Sequence, residues 1–290
     1  MIWAVVLAAG ESRRMGTQKL LLPYGGTTVA GAVARAARDS RADRVLVVLG
    51  ADRDAVRGGI EAALGGGSEA VRGEIEASLG EGRGSSDAGT ETRAGDGLGP
   101  GTAKETAGNA MGPDERIGRG GPEEPAEPAQ GRGKKSGPPA SGAPPRVVTF
   151  TVNESYRQGM LSSIKAGFRA LPPEAGAAVI MLGDQPFIAS SVIDGVIAAY
   201  GKEGGAGKGI VLPTFGGRRG HPVLVDLKYR DEVLALDPSD GLRQLMWAHP
   251  DDILEVEAGD AAILRDLDTP ADYQDGGDHD RVRSTFFEKK

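Results

Sequence analysis

Short apolar runs alternate along the chain with segments in which apolar residues recur every three to four positions. The runs span residues 2–7, 44–49, 147–152, 177–182, 210–213, 222–224 and 253–256. Runs of this kind are typical of strands buried on both faces, and the periodic segments between them predict helices. We expect helices at 28–38, from about 54, and at 159–170, 190–199 and 241–248. The pattern predicts an α/β fold whose mostly parallel sheet is covered by helices on both faces.

The stretch 81–145 interrupts this pattern. Its 65 residues include 16 glycines and 9 prolines, but only three large apolar residues, Leu98, Met111 and Ile117. Such a composition buries too little apolar surface to offset the entropy lost on ordering the chain. We therefore predict one domain over 1–276, interrupted at 81–145 by a long disordered insertion and followed by a tail at 277–290.

A sequence of eleven residues is repeated just before this insertion. AVRGGIEAALG at 55–65 returns as AVRGEIEASLG at 70–80. A solenoid needs at least three units, so two copies do not predict a repeat fold. We interpret the repeat as a local duplication that lengthened a helix, with a dedicated docking helix as the alternative.

Composition and charge exclude several classes of protein. The net charge of −7 argues against a general nucleic-acid-binding protein, because such proteins usually carry a basic surface. The absence of cysteine excludes disulfides, a thiolate nucleophile and a cysteine-based zinc site. No apolar run approaches the ~18 residues of a membrane span, and no basic residues precede the apolar N-terminus as they do in a signal peptide. We expect a cytoplasmic protein that binds neither nucleic acid nor membrane.

The loop after the first predicted strand carries the densest candidate chemistry. Ligands of α/β folds bind beyond the carboxyl ends of the strands, and here the chain reads LAAGESRRMGTQKLLLP over 7–23. Small residues at 8–10 let the backbone approach a base or ribose closely. Cations at 13, 14 and 19 follow within seven residues. Backbone donors combined with several cations suit a triphosphate.

Carboxylates follow two later segments. Asp184 comes directly after the apolar run 177–182, where a carboxylate suits Mg²⁺ or, alternatively, caps a turn. In RDLDTPADY at 265–273, Asp266 and Asp268 lie two positions apart, so they face the same side of an extended segment. Thr269 and the proline after it predict the start of a short helix, which makes Asp268 or Thr269 a candidate cap.

The pattern LAAGxSxRMGxxKxLLP at 7–23 resembles the opening signature of the nucleotidyltransferases that modify molybdenum cofactor, in the MobA-like NTP transferase family. The resemblance covers the chain except the insertion and the last dozen residues. It implies a Rossmann-like three-layer α/β/α fold of the nucleotidyltransferase type. It also implies that Arg14 and Lys19 hold nucleotide phosphates and act in catalysis with Asp184. The residues implied to bind the nucleotide are Leu7, Ala8, Ala9, Gly10, Arg14, Lys19, Asn153 and Ser162.

The same resemblance implies ligands for a metal and for the acceptor. The aspartate of GDQP, Asp184, would bind Mg²⁺, and Asp266 or Asp268 would complete the site. We favour Asp266, because Asp268 has the competing role of helix cap. The segment RGHP at 219–222 resembles the border of the family's acceptor pocket, and we expect its histidine to position the acceptor. The residues implied to bind the acceptor are Gln185, Arg219, Gly220, His221 and Pro222.

Two further segments resemble walls of the same pockets. NESYRQGMLSSIKAGF at 153–168 departs from the family pattern at Tyr156, where tryptophan is usual, and at Leu161, where a small residue is common. ALDPSDGLRQLM at 235–246 keeps an aspartate, a glycine and an arginine of an acceptor-side motif, at Asp240, Gly241 and Arg243. Contact between Arg243 and the acceptor stays open.

The resemblance also predicts the reaction. The loop reads Leu-Ala-Ala-Gly, as in the cytidylyltransferases, whereas the guanylyltransferases of the family typically read Leu-Ala-Gly-Gly. We therefore expect Mg²⁺-dependent transfer of CMP from CTP to a molybdopterin-type cofactor with release of pyrophosphate, and a molybdenum hydroxylase as the enzyme that receives the product. One alternative is the same chemistry with GTP or another phosphate acceptor. The other is a non-catalytic maturation factor that binds the cofactor and docks through the insertion.

Overall fold

A computed structural model describes residues 1–12, 15–65, 147–201 and 207–275, together with the backbone of 71–74. The described strands are β1 (Ile2–Ala8), β2 (Pro23–Tyr24), β3 (Thr27–Thr28), β4 (Arg44–Leu49), β5 (Val71–Glu74), β6 (Val148–Val152), β7 (Ala177–Leu182), β8 (Ile210–Phe215), β9 (Arg218–Arg219), β10 (Val223–Asp226) and β11 (Ile253–Glu257). The described helices are α1 (Val29–Asp39), α2 (Arg53–Ala63), α3 (Met160–Ala170), α4 (Ser190–Tyr200), α5 (Arg230–Ala235), α6 (Arg243–Ala248) and α7 (Pro270–Asp275).

The main sheet has the strand order β11-β8-β10-β7-β1-β4-β6-β5, and β9 pairs with β8 outside this path. β10 runs antiparallel to both of its neighbours, whereas the other neighbouring strands of the path are parallel. The central strand β1 pairs in step with β4 and β7, so that Val5 lies opposite both Leu46 and Ile180. The carboxyl ends of β1 and β7 therefore meet, and the loop after β1 lies beside the Asp184 turn.

Two hydrophobic cores lie on opposite faces of this sheet. Along β1, Val6 enters the core that contains side chains of α1, α2 and α4. Its neighbour Val5 enters the core that contains side chains of α3, α5 and α6. Because successive strand residues point to opposite faces, an uninterrupted apolar strand feeds both cores. This arrangement confirms the predicted three-layer α/β/α fold with a mostly parallel sheet.

Most predicted elements lie where the apolar pattern places them. β4 and β7 occupy the predicted residues, the predicted helices begin and end within about two residues of α1, α3, α4 and α6, and α2 begins within one residue of the predicted start. The pattern missed β2, β3, β5, β9 and α5, because elements of two to six residues contain too few positions to establish a period. Within the described part, no helix is both long enough and apolar enough to cross a membrane.

The tripeptide VRG, which both copies of the repeat contain, adopts two secondary structures. Its first copy lies in α2, where Val56 is buried in the core. In the second copy Val71–Glu74 forms β5, which pairs with β6. The expectation that the duplication lengthened a helix is therefore wrong for these residues, because pairing with a sheet edge overrides the weak helical preference of a glycine-containing tetrapeptide. The predicted insertion at 81–145 and the tail at 277–290 lie outside the described residues, and their assignment stays a prediction.

Candidate active site at the carboxyl ends of the central strands

A cleft beside β1, the first cavity, has a volume of about 400 Å³. The loop after β1 forms one wall, and the turn after β7 together with the segment before α7 contributes Asp184 and Asp268. Tyr156 and Ser163 line the opposite side. Of the predicted nucleotide ligands, Leu7, Ala9, Gly10 and Lys19 line this cavity. Ala8 is fully buried in the core beneath it, and Arg14 lies outside the described residues.

Two glycines allow the loop after β1 to pack closely against its neighbours. A Cβ atom on Gly183 would lie 2.7 Å from the carbonyl oxygen of Leu7, and one on Gly50 would lie 2.6 Å from that of Ala9. The backbone N–H of Gly183 donates to the Leu7 carbonyl at 3.0 Å, and that of Ala51 donates to the Ala9 carbonyl at 3.2 Å. The floor of the cavity is therefore fixed by backbone hydrogen bonds on both sides.

Hydrogen bonds made by the side chains of Gln18 and Ser12 fix the loop at Lys19. The side chain of Gln18 donates from Nε2 to the carbonyl of Gly10 at 3.1 Å and to Oδ2 of Asp52 at 3.0 Å. Its Oε1 accepts from Oγ of Ser12 at 2.7 Å, and that hydroxyl oxygen accepts from the backbone N–H of Lys19 at 3.0 Å. Sequence reasoning missed Gln18, because two of its partners lie eight and 34 positions away.

The side chain of Lys19 spans the two acidic segments. Its Nζ donates to Oδ2 of Asp184 at 2.6 Å and to Oδ1 of Asp268 at 2.9 Å. Burial lowers the pKa of Lys19, but the two carboxylates raise it by more, so the pKa lies above its ordinary value. Lys19 therefore stays a cation at neutral pH, held between two anions.

Asp268 does not cap the helix that follows it. Thr269 does so, because its Oγ1 accepts from the backbone N–H of Asp272 at 3.3 Å. In return, Oδ2 of Asp272 accepts from the backbone N–H groups of Asp268 and Thr269, at 3.1 and 2.7 Å. This reciprocal capping leaves the Asp268 carboxylate turned toward Lys19. The reason for preferring Asp266 over Asp268 as a metal ligand therefore does not hold.

Asp266 lies behind this cluster. Its Oδ1 accepts from Nε2 of Gln185 at 2.5 Å. Burial raises the pKa of Asp266; the hydrogen bond from Gln185 opposes this, and the charges of Asp184 and Asp268 add to it. Burial also lowers the pKa of His221, against the attraction of Asp266 and Asp184, so the imidazole is neutral at pH 7. Oε1 of Gln185 is buried without a hydrogen-bond partner in the described structure.

Asn153 and Ser162 do not line the first cavity. Nδ2 of Asn153 donates to the hydroxyl oxygens of Ser162 and Ser163, at 2.8 and 3.0 Å. Asn153 and Ser162 line a separate cavity of about 210 Å³, whereas Ser163 lines the first cavity. The amide of Asn153 thus ties the end of β6 to the first turn of α3.

A second cavity of about 570 Å³ adjoins the first, and Met160 lines both. Here the structure brings together two segments that the sequence placed on the acceptor side. From the first come Arg219, Gly220 and His221, and from the second Asp240, Gly241 and Arg243. Two other predicted acceptor residues, Gln185 and Pro222, line a small recess behind His221 instead. The guanidinium of Arg219 pairs with Glu255 at 2.7 Å.

Gly220 packs closely against the backbone of another segment of the protein. A Cβ atom there would lie 2.4 Å from the carbonyl oxygen of Ile263. The same carbonyl accepts from the backbone N–H of His221 at 3.1 Å, and the N–H of Gly220 donates to the carbonyl of Pro213 at 2.9 Å. This contact fixes the RGHP segment against the chain that leads to Asp266 and Asp268.

The donor set of the cluster fits a divalent cation. Asp184 and Asp268 already converge on one cationic atom, Nζ of Lys19. Among the residues that the structure describes, no group of three or more acidic or histidine side chains is arranged as a complete metal site. Mg²⁺ is commonly held by one or two carboxylates, with water and phosphate oxygens completing its octahedron. Asp184 and Asp268 are therefore the residues that would hold it, with the remaining positions left to substrate and water.

Comparison with known proteins gives the chain its relatives. The family model for the MobA-like NTP transferase domain matches residues 4–74 and 135–253, more than half of the chain, and leaves out 75–134 between the two stretches. The molybdenum cofactor cytidylyltransferase of Escherichia coli (strain K12) is 29% identical over 128 residues. That match spans 43% of this chain and 60% of the length of the relative.

Solved structures share the fold at low sequence identity. Rv0371c from Mycobacterium tuberculosis H37Rv is similar with a TM-score of 0.57 and 22% identity, over 94% of this chain and 96% of that one. A structure of Rv0371c described as a complex with manganese has a TM-score of 0.53 and 21% identity, over 94% of this chain and 96% of that one. A nucleotidyl transferase from Methanothermobacter thermautotroptrophicus has a TM-score of 0.57 and 20% identity, over 96% of this chain and 97% of that one. At these identities the likeness shows the fold.

Proposed function

Because the chain belongs to the MobA-like NTP transferase family, we propose that this nucleotidyltransferase transfers CMP from CTP to a molybdopterin-type cofactor. The observation that carries the proposal is the pair of adjoining cavities. One contains Lys19, Asp184 and Asp268, and the other contains the acceptor-side segments around His221 and Arg243. A donor nucleotide and an acceptor phosphate bound in these two cavities would meet near Met160.

The first cavity suits the nucleotide. Ala9 and Gly10 expose backbone and small side chains to the cleft, where a base and ribose approach closely. Lys19, together with Arg14, supplies positive charge for the β- and γ-phosphates. The Leu-Ala-Ala-Gly sequence supports CTP over GTP, as does the name of the Escherichia coli relative.

Asp184 and Asp268 would hold Mg²⁺ in this proposal. When bound, the metal neutralises phosphate charge and orients the triphosphate for displacement. Lys19 would then exchange its two carboxylate partners for phosphate oxygens, to which its Nζ donates hydrogen bonds. Gln185 holds Asp266 behind the site, where its buried carboxyl group supports the segment that carries Asp268.

The reaction needs positioning more than proton transfer. An oxygen of the terminal phosphate of the acceptor attacks the α-phosphorus of CTP in line, and the bond to the β-phosphate oxygen breaks as pyrophosphate leaves with the electron pair. A phosphate monoester is already largely ionised at pH 7, so no strong base is required. Neutral His221 lies on the acceptor side, where its imidazole would hydrogen-bond and orient this phosphate.

A nucleotide panel tests the proposal. Pyrophosphate release is measured with molybdopterin-type cofactor as acceptor, Mg²⁺, and CTP, GTP or ATP in turn. We expect turnover with CTP alone, and we expect Ala9→Gly to raise turnover with GTP relative to CTP. Turnover with GTP alone would refute the base assignment. Absence of pyrophosphate release with all three nucleotides in a folded protein would refute the acceptor assignment and favour the non-catalytic maturation factor. The proposal includes a cytoplasmic site of reaction and delivery of the product to a molybdenum hydroxylase.

A further inference from the structure

Exposed apolar side chains concentrate at the second cavity. Among the described residues, the large hydrophobic side chains classed as exposed are Met1, Met160 and Trp247, with exposed fractions of 51%, 56% and 66%. Met1 is the chain terminus, and the other two both line the 570 Å³ cavity. Clustered exposed apolar groups commonly mark a binding surface.

The position of Trp247 is set by the helix that carries it. α6 is anchored by Leu245, which is fully buried in the core beneath the sheet. Met246 packs partly against the same core and also lines the cavity. The indole is therefore held at the rim of the cavity by a fixed helix, with two methionine side chains, Met160 and Met246, among the other lining groups.

The charged groups of this rim complement the apolar wall. Asp240 and Arg243 both line the cavity, and neither forms an ion pair with another described residue. A cavity of a few hundred Å³ with apolar walls and a few polar groups is typical of a small-molecule site. An acidic side chain beside an aromatic face suits a flat heterocycle that has N–H donors at its edge.

We propose that Trp247 stacks on the pterin ring of the acceptor and determines acceptor affinity. This inference rests on the proposed function, in which the second cavity takes the acceptor. The ring lies between Trp247 and the methionine side chains, with Asp240 accepting hydrogen bonds from its edge. The phosphate end of the acceptor then points past His221 toward Lys19 and Asp184.

The chain carries a convenient optical probe of this contact. Its two tryptophans are Trp3 and Trp247. Trp3 lies in β1 with an exposed fraction of 6%, among core residues, so a ligand in the second cavity stacks only on Trp247. Titration of the unaltered protein with pterin-6-carboxylate should quench tryptophan fluorescence in a saturable way. Trp3→Phe should keep this quenching, and Trp247→Phe should weaken it markedly, leaving only energy transfer from Trp3 to the ligand.

Steady-state kinetics with the molybdopterin-type cofactor separates this role from a general structural one. We expect Trp247→Ala to raise KM for the acceptor by about tenfold or more, in the range measured for loss of aromatic stacking on a base. KM for CTP and kcat at saturating acceptor should stay within about twofold. Trp247→Phe should recover most of the acceptor affinity, because it keeps an aromatic face. Trp247 is largely exposed, so these variants are expected to fold.

The outcomes distinguish this inference from the proposed function. Quenching as strong in Trp247→Phe as in the unaltered protein, or an acceptor KM unchanged in Trp247→Ala, overturns the inference while the transfer reaction stands. Loss of binding to a molybdenum hydroxylase by Trp247→Ala, with acceptor KM unchanged, also overturns it and assigns the indole to protein docking. Absence of CMP transfer by the unaltered protein refutes the proposed function, and Trp247-dependent quenching by pterin would still support a ring site here.

Discussion

Lys19 and Asp184 lie 165 positions apart in the sequence, and their side chains meet at 2.6 Å between Nζ and Oδ2. The same ammonium reaches Asp268 from a third segment of the chain. A divalent cation that uses these two carboxylates must therefore compete with a protein cation for them.

Removal of the Lys19 charge should strengthen metal binding and weaken transfer. In Lys19→Met the two carboxylates lose their counter-charge, so the protein without nucleotide should bind Mn²⁺ more tightly than the unaltered protein. Transfer should fall by about 100-fold or more, because a phosphate contact is lost. Manganese titration followed by electron paramagnetic resonance measures the first effect, with Lys208→Met as the control. Equal manganese affinity in the two proteins would show that Lys19 does not compete with the metal.

The three aspartates should differ in their effect on catalysis. Asp184→Asn and Asp268→Asn each remove a carboxylate that converges on the cation site, so kcat should fall by at least about 100-fold. Asp266→Asn removes a supporting contact to Gln185, for which a loss of about 10–100-fold is typical. Activity and metal affinity of the three variants are measured side by side, with circular dichroism to confirm folding. A greater loss in Asp266→Asn than in Asp268→Asn would restore the original preference for Asp266.

Gly220 should tolerate no side chain. The methyl group of Gly220→Ala would lie 2.4 Å from the Ile263 carbonyl, so we expect the free energy of unfolding to fall by about 1–3 kcal/mol. Gly195 in α4 is the matched control, because it is exposed and a Cβ there meets nothing within 4 Å. Gly195→Ala should raise the free energy of unfolding by about 0.5–1 kcal/mol. Urea denaturation measures both, and equal stability of the two variants would contradict the close packing at Gly220.

His221 should make the protein sensitive to acid. Its pKa is lowered in the folded state by burial, against Asp266 and Asp184, whereas an unfolded histidine titrates near pH 6.5. As the pH falls below about 6.5, the unfolded chain takes up this proton before the folded chain does, so stability is lost down to the folded pKa. In His221→Gln the loss of stability between pH 7 and pH 5 should be smaller. Denaturation curves at several pH values provide the test, and identical pH dependence in the two proteins would show that His221 titrates normally.

The segment 81–145 should be dispensable for transfer to free cofactor. Its composition predicts an insertion within one domain, and the two stretches matched by the family model leave out 75–134. A variant with 81–145 replaced by a short Gly-Ser linker should keep the kcat and KM of the full chain. Loss of binding to a molybdenum hydroxylase with kinetics unchanged would identify the segment as a docking arm. Loss of the transfer activity itself in a folded variant would show that the segment belongs to the active site.

The sequence was informative wherever parallel strands end. Apolar runs identify the strands, and the carboxyl ends of β1 and β7 lie at one edge of the sheet, so Lys19 and Asp184 could be assigned to one site in advance, although not to a direct contact. The choice between Asp266 and Asp268 depended on which residue caps α7. Both Asp268 and Thr269 suit that position, and only the structure shows that Thr269 takes it.

Roles of side chains that form hydrogen bonds to other parts of the protein were the hardest to predict from the sequence. Asn153 follows a strand as a ligand residue would, but its amide is used by two serines of α3. Gln18 lies in the signature loop at a position to which the sequence assigned no chemistry, and one of its hydrogen bonds goes to Asp52 in another segment. Such roles depend on long-range contacts that the local residue pattern does not contain.

The reversed direction of β10 has a consequence for how specificity is encoded. The first cavity is lined in part by residues that follow β1 and β7, where the chain has just left the sheet, whereas the second cavity takes RGHP from the segment that is about to enter the sheet at β10. In the proposed function, the loop that follows β1 therefore acts on the donor, and the segment that precedes β10 acts on the acceptor. Substitutions in RGHP would then change acceptor selectivity while leaving the loop that binds the nucleotide intact.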